Sequence, residues 1–427
     1  MMPSSLAHIT LLGLLLIGLL QCTDGARLRK QAAKEVKRYR QVLKNHQNVQ
    51  YYADFRIGGQ EISGIFDTGS FEIIVRSSKC GTCKHPTAPF VAKESTSFVA
   101  NGTIAQHVYG SGPCVTELGY DTVQVGPDMV AKHQAIWEIT RHKIDVLNKA
   151  KFAAIVGIGP GYGYGSLEET LLMNYNINEF SICLDKRSQK DGMLHWGPLE
   201  KELPRDQVFE AKVYGQHHWS TRMTSIGFNT DIAKEHKGAL DPCATAKGCS
   251  VIIDSGTSLI AGPAKSLLML QQQIGEIKED CSNLHELPTL RFTLDGHEME
   301  LPPQAYVMRL KGHMLDSSIW ELLFFKPKFK KVDMCAPAFM DMDMGSSKGA
   351  DVWIMGMPFF RYYHSTFDLA SKAMRFAKAG PDCEALPVVH SQKDASLINV
   401  DVDAYSPLDV DVDMLIPPFR TVTDSED

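Results

Sequence analysis

Two short runs carry the chemistry of this chain: Ile65-Phe66-Asp67-Thr68-Gly69-Ser70 and Ile252-Ile253-Asp254-Ser255-Gly256-Thr257. Each sets an Asp behind two apolar residues and follows it with a hydroxyl residue, a Gly and a second hydroxyl residue. One Asp-Thr-Gly alone is an ordinary turn. Two copies 187 residues apart, with the same apolar lead-in, imply two halves that each present a carboxylate from a tight loop at the end of a buried strand.

The residue types suit an acid/base pair. Two carboxyls within hydrogen-bonding distance cannot both ionise cheaply, so the pair keeps one proton over a wide acidic range. The ionised member, Asp67 or Asp254, can take a proton from a water between them while the other donates to a carbonyl oxygen. Gly69 and Gly256 let the backbone turn without a Cβ. Ser70 and Thr257 can hydrogen-bond the outer carboxylate oxygens, and Thr68 and Ser255 stand where one loop can brace the other. Such a device hydrolyses with no metal and no cofactor.

The elements that position these loops read as mostly β. Alternating or apolar runs at 51–57, 61–66, 72–76, 120–125, 152–158, 250–253, 289–294, 305–310 and 352–355 suit strands, and only 166–174 and 263–277 suit helices. Each Asp loop is followed downstream by two apolar residues and a Gly: Ile155-Val156-Gly157 in the first half, Ile354-Met355-Gly356 in the second. A Gly there lets a strand pass close beneath the loop, where a side chain would collide. The repeat occurs once per half.

At 427 residues and 44% hydrophobic content the chain has room for two domains, and its net charge of -6 gives no reason to expect nucleic acid. An apolar run at 11–20 ahead of Thr23 and Gly25 reads as a signal peptide over 1–25, with an uncut signal anchor as the alternative. No later stretch reaches the ~20 apolar residues of a spanning helix. Residues 26–45 hold eight Lys or Arg against Glu35, with Leu28, Ala32, Val36, Tyr39 and Leu43 at helical spacing. They read as a basic amphipathic prosegment, or else as a solvated helix. Lobes are expected over 46–200 and 201–378, and 379–427 as a flexible acidic tail, with ten acids in 384–427.

Ten cysteines behind such a leader argue for an oxidising compartment. Cys22 should leave with the signal; of the nine that remain, local pairings Cys80-Cys83, Cys243-Cys249 and Cys281-Cys335 are reasonable, and they leave Cys114, Cys183 and Cys383 over. A zinc site is weaker, because the Cys-x-x-Cys at 80–83 has no matching downstream pair.

The whole pattern resembles the pepsin-like aspartic proteases over about 46–378. Val108-Tyr109-Gly110-Ser111-Gly112 and Leu118-Gly119-Tyr120-Asp121-Thr122-Val123 look like that family's flap hairpin, 287–306 like its second-lobe strands and 359–376 like its closing segment. The resemblance implies a bilobal fold, two β-rich lobes around a central cleft. It implies an aspartic endopeptidase that cuts peptide bonds flanked by hydrophobic residues at acidic pH. It makes Asp67 and Asp254 the catalytic dyad and Tyr109 the residue that closes over substrate, with Gly110 and Ser111 beside it. Phe152 and Ile155 would line the pocket before the cut bond, and the three disulfide pairings match the family's pattern. At Ile74, counted with the substrate-binding positions, the family usually has a Trp that anchors the flap Tyr. Phe71 stands where a small residue is common, and Met357 where an Asp is usual. The implied protein is a zymogen of the secretory pathway, secreted or held in an acidic vacuole or lysosome-like compartment, monomeric, with protein and peptide substrates.

Other features read more plainly. The Gly-rich 157–165 lacks the ending of a phosphate cradle. His217-His218 lacks a ligand at metal spacing and reads as a solvated loop pair, 326–331 as an exposed face and Asp341-Met342-Asp343 as an acidic loop. Asn101-Gly102-Thr103 is a glycosylation sequon. Two rivals to the peptidase stand: a catalytically silent peptide-binding protein on the same scaffold, motivated by Phe71 and Ile74, and an interaction protein acting through its acidic tail.

Overall fold

The computed structural model describes residues 37–411 except 82, 84–85, 110, 162–169, 229–240, 316–328, 343–349 and 389–406. The signal peptide expected over 1–25, most of 26–45, Gly110 and the 162–165 part of the Gly-rich run 157–165 lie outside the described residues.

The fold is mostly β, as the alternating pattern implies, and bilobal, as the resemblance implies. A long sheet runs from Phe209–Lys212 through Ala373–Ala379, Tyr363–Asp368, Glu179–Cys183, Gly192–Trp196, Tyr39–His46 and Gln50–Ile57 to Gln60–Asp67. It continues through Ala154–Gly157, Ile73–Arg76, Met129–His142 and Gly112–Gly126 to Val99–Tyr109 at its far edge. A second sheet centres on Cys249–Ile253 and Val352–Met355. Strands from both sides of residue 200 meet in the long sheet, where Thr366 pairs with Ser181.

The two halves repeat one device. Gln60–Asp67 runs parallel to Ala154–Gly157, with Asp67 opposite Gly157, and Ile73–Arg76 returns antiparallel on its other side. Cys249–Ile253 likewise runs parallel to Val352–Met355, which Ile260–Gly262 flanks antiparallel. The glycines are needed: a Cβ on Gly157 would lie 2.5 Å from the backbone N of Phe71 and Glu72, and one on Gly356 2.3 Å from Thr257 O. Apolar strand faces such as Ile73, Val75, Val156, Val251 and Ile253 are buried in the core.

Three expectations are corrected. In the described part of 26–45 the expected helix is replaced: Tyr39–His46 is a strand, paired with Gly192–Trp196 and turning at Gln47-Asn48 into Gln50–Ile57. A separation of four, as from Tyr39 to Leu43, is also even, so it satisfies the strand period too. Gln41 and Leu43 are buried while Val42 is exposed, which is period two. Both turn residues have positive φ, 54° and 61°, as a tight hairpin of this hand requires. The tail is not wholly a free extension, because Leu408–Asp411 forms a parallel strand on Val307–Leu315 with Leu408 and Val410 buried. Residues 305–310 begin as the end of a helical turn, Pro303–Tyr306, before their strand.

The three expected disulfides form, with Cα separations of 5.2–5.5 Å. Two of the cysteines left over also pair: Cys183 and Cys383, 200 residues apart in sequence, sit 5.5 Å apart at Cα. Cys114 is the free thiol among the described residues, and it is buried.

Candidate active site

Each Asp loop first satisfies its own carboxylate. Gly69 N–H donates to Asp67 Oδ1 at 2.8 Å and Gly256 N–H to Asp254 Oδ1 at 2.8 Å. The Ser70 hydroxyl donates to Asp67 Oδ2 at 2.5 Å and the Thr257 hydroxyl to Asp254 Oδ2 at 2.6 Å. The two inner oxygens therefore carry one backbone donor each, and the outer ones carry the hydroxyls.

The loops then lock together. Ser255 N–H donates to Thr68 Oγ1 at 2.9 Å, and Thr68 N–H donates to Ser255 Oγ at 3.1 Å. The same hydroxyls donate across the axis, Thr68 to Ile253 O at 2.8 Å and Ser255 to Phe66 O at 2.6 Å. The result is close approach: a Cβ added to Gly256 would stand 2.4 Å from Asp67 Oδ1 and 3.2 Å from Asp254 Oδ1. One on Gly69 would stand 2.7 Å from Asp254 Cγ. Only glycine fits between the carboxyls.

Electrostatics follow from that geometry. Both carboxyls are nearly sealed from solvent, Asp67 at 6% and Asp254 at 7% exposure. Burial pushes the Asp67 carboxyl well above the usual carboxylate range, and the Asp254 charge and a hydrogen bond to Asp254 push the same way. Ser70 and Gly69 pull back more weakly. The proton belongs to the pair, as two carboxyls this close titrate together.

The dyad lies on the floor of a cleft of about 540 Å³. Tyr109, Ser111, Phe152 and Ile155 line it, alongside Ile65, Phe71 and Met357. Burial raises the Tyr109 phenol well above its ordinary value, with the Asp67 charge adding to the effect, so the ring faces the dyad protonated. Ile74 does not line the cleft. It is fully buried behind the wall, paired in register with Trp137 of the neighbouring strand and packed with Phe152 and Ile155.

Three polar residues at the site escaped the sequence reading. His218 is no solvated loop residue: it lines the cleft and its Nδ1 lies 2.9 Å from Gly69 O. Burial lowers its imidazole against the opposing pull of Asp254. No local motif announces it. The neighbouring strand Ser220–Phe228 pairs Ser220 with Ile252, and this register delivers His218 to the dyad. Glu72 and His107 also line the cleft, with Nε2 to Oε2 at 2.8 Å. They lie 35 residues apart in sequence and become neighbours only when the hairpin folds over the loop.

The sequence profile described as eukaryotic aspartyl protease matches residues 50–379. Similar proteins include pepsin A of Bos taurus, 26% identical over 83% of this chain and 90% of that one. Chymosin of Bos taurus is 28% identical over 79% of this chain and 83% of its own length. Cathepsin D of Rattus norvegicus is likewise 28% identical, covering 79% of this chain and 83% of that one.

Proposed function

The chain belongs to the eukaryotic aspartyl protease family, and from that footing we propose that it is an active aspartic endopeptidase working at acidic pH. The observation that carries the proposal is the intact dyad: two buried carboxyls, each with its own Gly and hydroxyl donor, on loops locked together across the axis. A water held between the inner oxygens gives its proton to Asp254 as its oxygen attacks the peptide carbonyl. Asp67 donates to the carbonyl oxygen, stabilising the charge that develops there. The tetrahedral diol then collapses as a proton passes to the leaving amine. Neither step forms a covalent bond to the protein.

Specificity for bonds flanked by hydrophobic residues is supported by the cleft wall, where Ile65, Phe152, Ile155, Leu147 and Met357 offer apolar surface. An extended substrate peptide is the shape that a long open cleft admits. An oxidising, acidic compartment of the secretory route is supported by four disulfides and by the dyad's need for a shared proton. Asn101 is exposed on the flap hairpin, with its Oδ1 accepting from the Thr103 hydroxyl, and is the proposed glycan acceptor. No described helix is long and apolar enough to cross a membrane.

The test is cleavage of an unfolded protein by the purified chain across an acidic pH series, with a statine-type peptide as inhibitor. Activity should fall by roughly 10²–10⁴ in both Asp67→Asn and Asp254→Asn, the range of general acid/base contributions. Turnover unchanged in either variant rejects the proposal.

A further inference from the structure

The first strand of the flap, Val99–Tyr109, forms the free edge of the long sheet, and none of its described residues is fully buried. Its outward side chains are water-exposed, Ile104 at 67% and Val108 at 70%. Only Ala105, His107 and Tyr109 turn inward, at the alternate positions a strand dictates. So little burial fixes how high the flap stands above the dyad. A polar link is present at the right place. His107 Nε2 meets Glu72 Oε2 at 2.8 Å, and Thr116 Oγ1 on the returning strand meets His107 Nδ1 at 3.0 Å.

The two ends of this link differ in rigidity. Glu72 belongs to the catalytic loop and its backbone is clamped: its carbonyl accepts from Gly157 N–H at 2.9 Å, and the close packing at Gly157 leaves no room for a Cβ. His107 rides on the flap two residues from Tyr109, on the same face. Its ring packs edge-on against Trp137 at 4.9 Å between centroids, which sets its plane. The Thr116 hydroxyl donates to Ala105 O at 3.3 Å, so it is left to accept from Nδ1–H, while Glu72 accepts from Nε2–H. The ring is thus held at both nitrogens, one contact to the returning strand and one to the catalytic loop.

We propose that Glu72 and His107 are a positioning pair that latches the flap to the catalytic loop and so holds Tyr109 over Asp67. The inference rests on the endopeptidase reading and goes beyond it, because neither residue touches the reacting atoms. Breaking the latch leaves the dyad intact but lowers the fraction of molecules whose flap is already placed. Apparent substrate affinity falls by that fraction, whereas turnover, once substrate has closed the flap, is retained.

The experiment compares the full chain with Glu72→Ala, His107→Ala, Glu72→Gln and each alanine variant in a Tyr109→Ala background. It measures peptide kinetics at acidic pH and hydrogen exchange of the flap amides at 99–109. We expect KM to rise up to about tenfold in either alanine variant, the upper range of what one hydrogen bond contributes, with kcat held within about twofold. Flap amides should exchange about tenfold faster, Glu72→Gln should recover part of both effects, and the KM change should vanish where Tyr109 is absent. A fall in kcat at unchanged KM would mean that Glu72 merely shapes the Asp67 loop, and it overturns the latch, as does unchanged flap exchange. The exchange arm is independent of turnover. A wild-type chain that cleaves nothing yet shows faster flap exchange in the variants keeps the latch and removes the endopeptidase reading.

Discussion

The Thr68 hydroxyl accepts the Ser255 amide at 2.9 Å and the Ser255 hydroxyl accepts the Thr68 amide at 3.1 Å. This exchange, between residues 187 apart in sequence, joins the two carboxylate loops at their base. Both residues are buried, Thr68 at 0% and Ser255 at 9% exposure, so water competes poorly for either hydroxyl's place.

Thr68→Val keeps the side-chain shape and removes the oxygen, leaving Ser255 N–H and Ile253 O unpaired. Each buried orphan costs about 1–3 kcal/mol. Ser255→Ala orphans Thr68 N–H and Phe66 O in the same way. Denaturant unfolding should show both losses, with the double variant costing less than their sum, because either change alone already lets the loops separate.

Gly256→Ala inserts a methyl 2.4 Å from Asp67 Oδ1. The dyad must spread to admit it. Activity should drop at least ~10²-fold, the scale of loss that follows a misplacement of about 1 Å. Overpacking should cost a further ~1–3 kcal/mol of stability. Kinetics with thermal melting on the same variant separates the two effects.

Stability should fall as pH rises from acid toward neutral. Asp67 has a raised carboxyl pKa in the fold, chiefly through burial. Its contribution is therefore complete below the unfolded value, near 3.8, and is lost as pH climbs through the native one. Each pH unit between the two values is worth about 1.4 kcal/mol. Asp67→Asn cannot ionise and should flatten this slope. A melting temperature that rises from mildly acidic to neutral pH in the wild type, and equally in the variant, contradicts the shared-proton picture.

Truncation after Val388 removes the strand Leu408–Asp411 and keeps the Cys183–Cys383 bridge. Val410 is 2% exposed and packs against Val49 and Leu259, both of which line the cleft. Asp409 is bound from two directions, its carbonyl accepting from Asn48 Nδ2 at 2.9 Å and its carboxylate from Lys311 at 2.8 Å. Losing two buried aliphatic side chains should cost about 3–6 kcal/mol. KM should change more than kcat, because the uncovered residues wall the cleft and do not touch the dyad. Calorimetry and peptide kinetics on the shortened chain check both.

The sequence by itself determined the candidate site. Asp, Gly and hydroxyl residues at fixed local offsets specify a turn that feeds two donors to one carboxylate, and a motif of four residues needs no distant partner to be legible. The duplicated apolar-apolar-Gly was legible for the same reason, since only glycine tolerates a loop 2.5 Å away. Local cysteine spacing found three bridges of four.

What only the tertiary structure decided depends on pairing between distant strands. Tyr39–His46 carries spacing that fits a helix and a strand equally, and the partner strand Gly192–Trp196 selected the strand. Cys183 found Cys383 across 200 residues, and His218 reached Gly69 across 149. The same holds for the electrostatics of the pair. The two motifs are nearly identical as text, and burial together with the facing Asp254 charge raises the Asp67 carboxyl. Register and burial are properties of the assembled sheets, and no local spacing contains them.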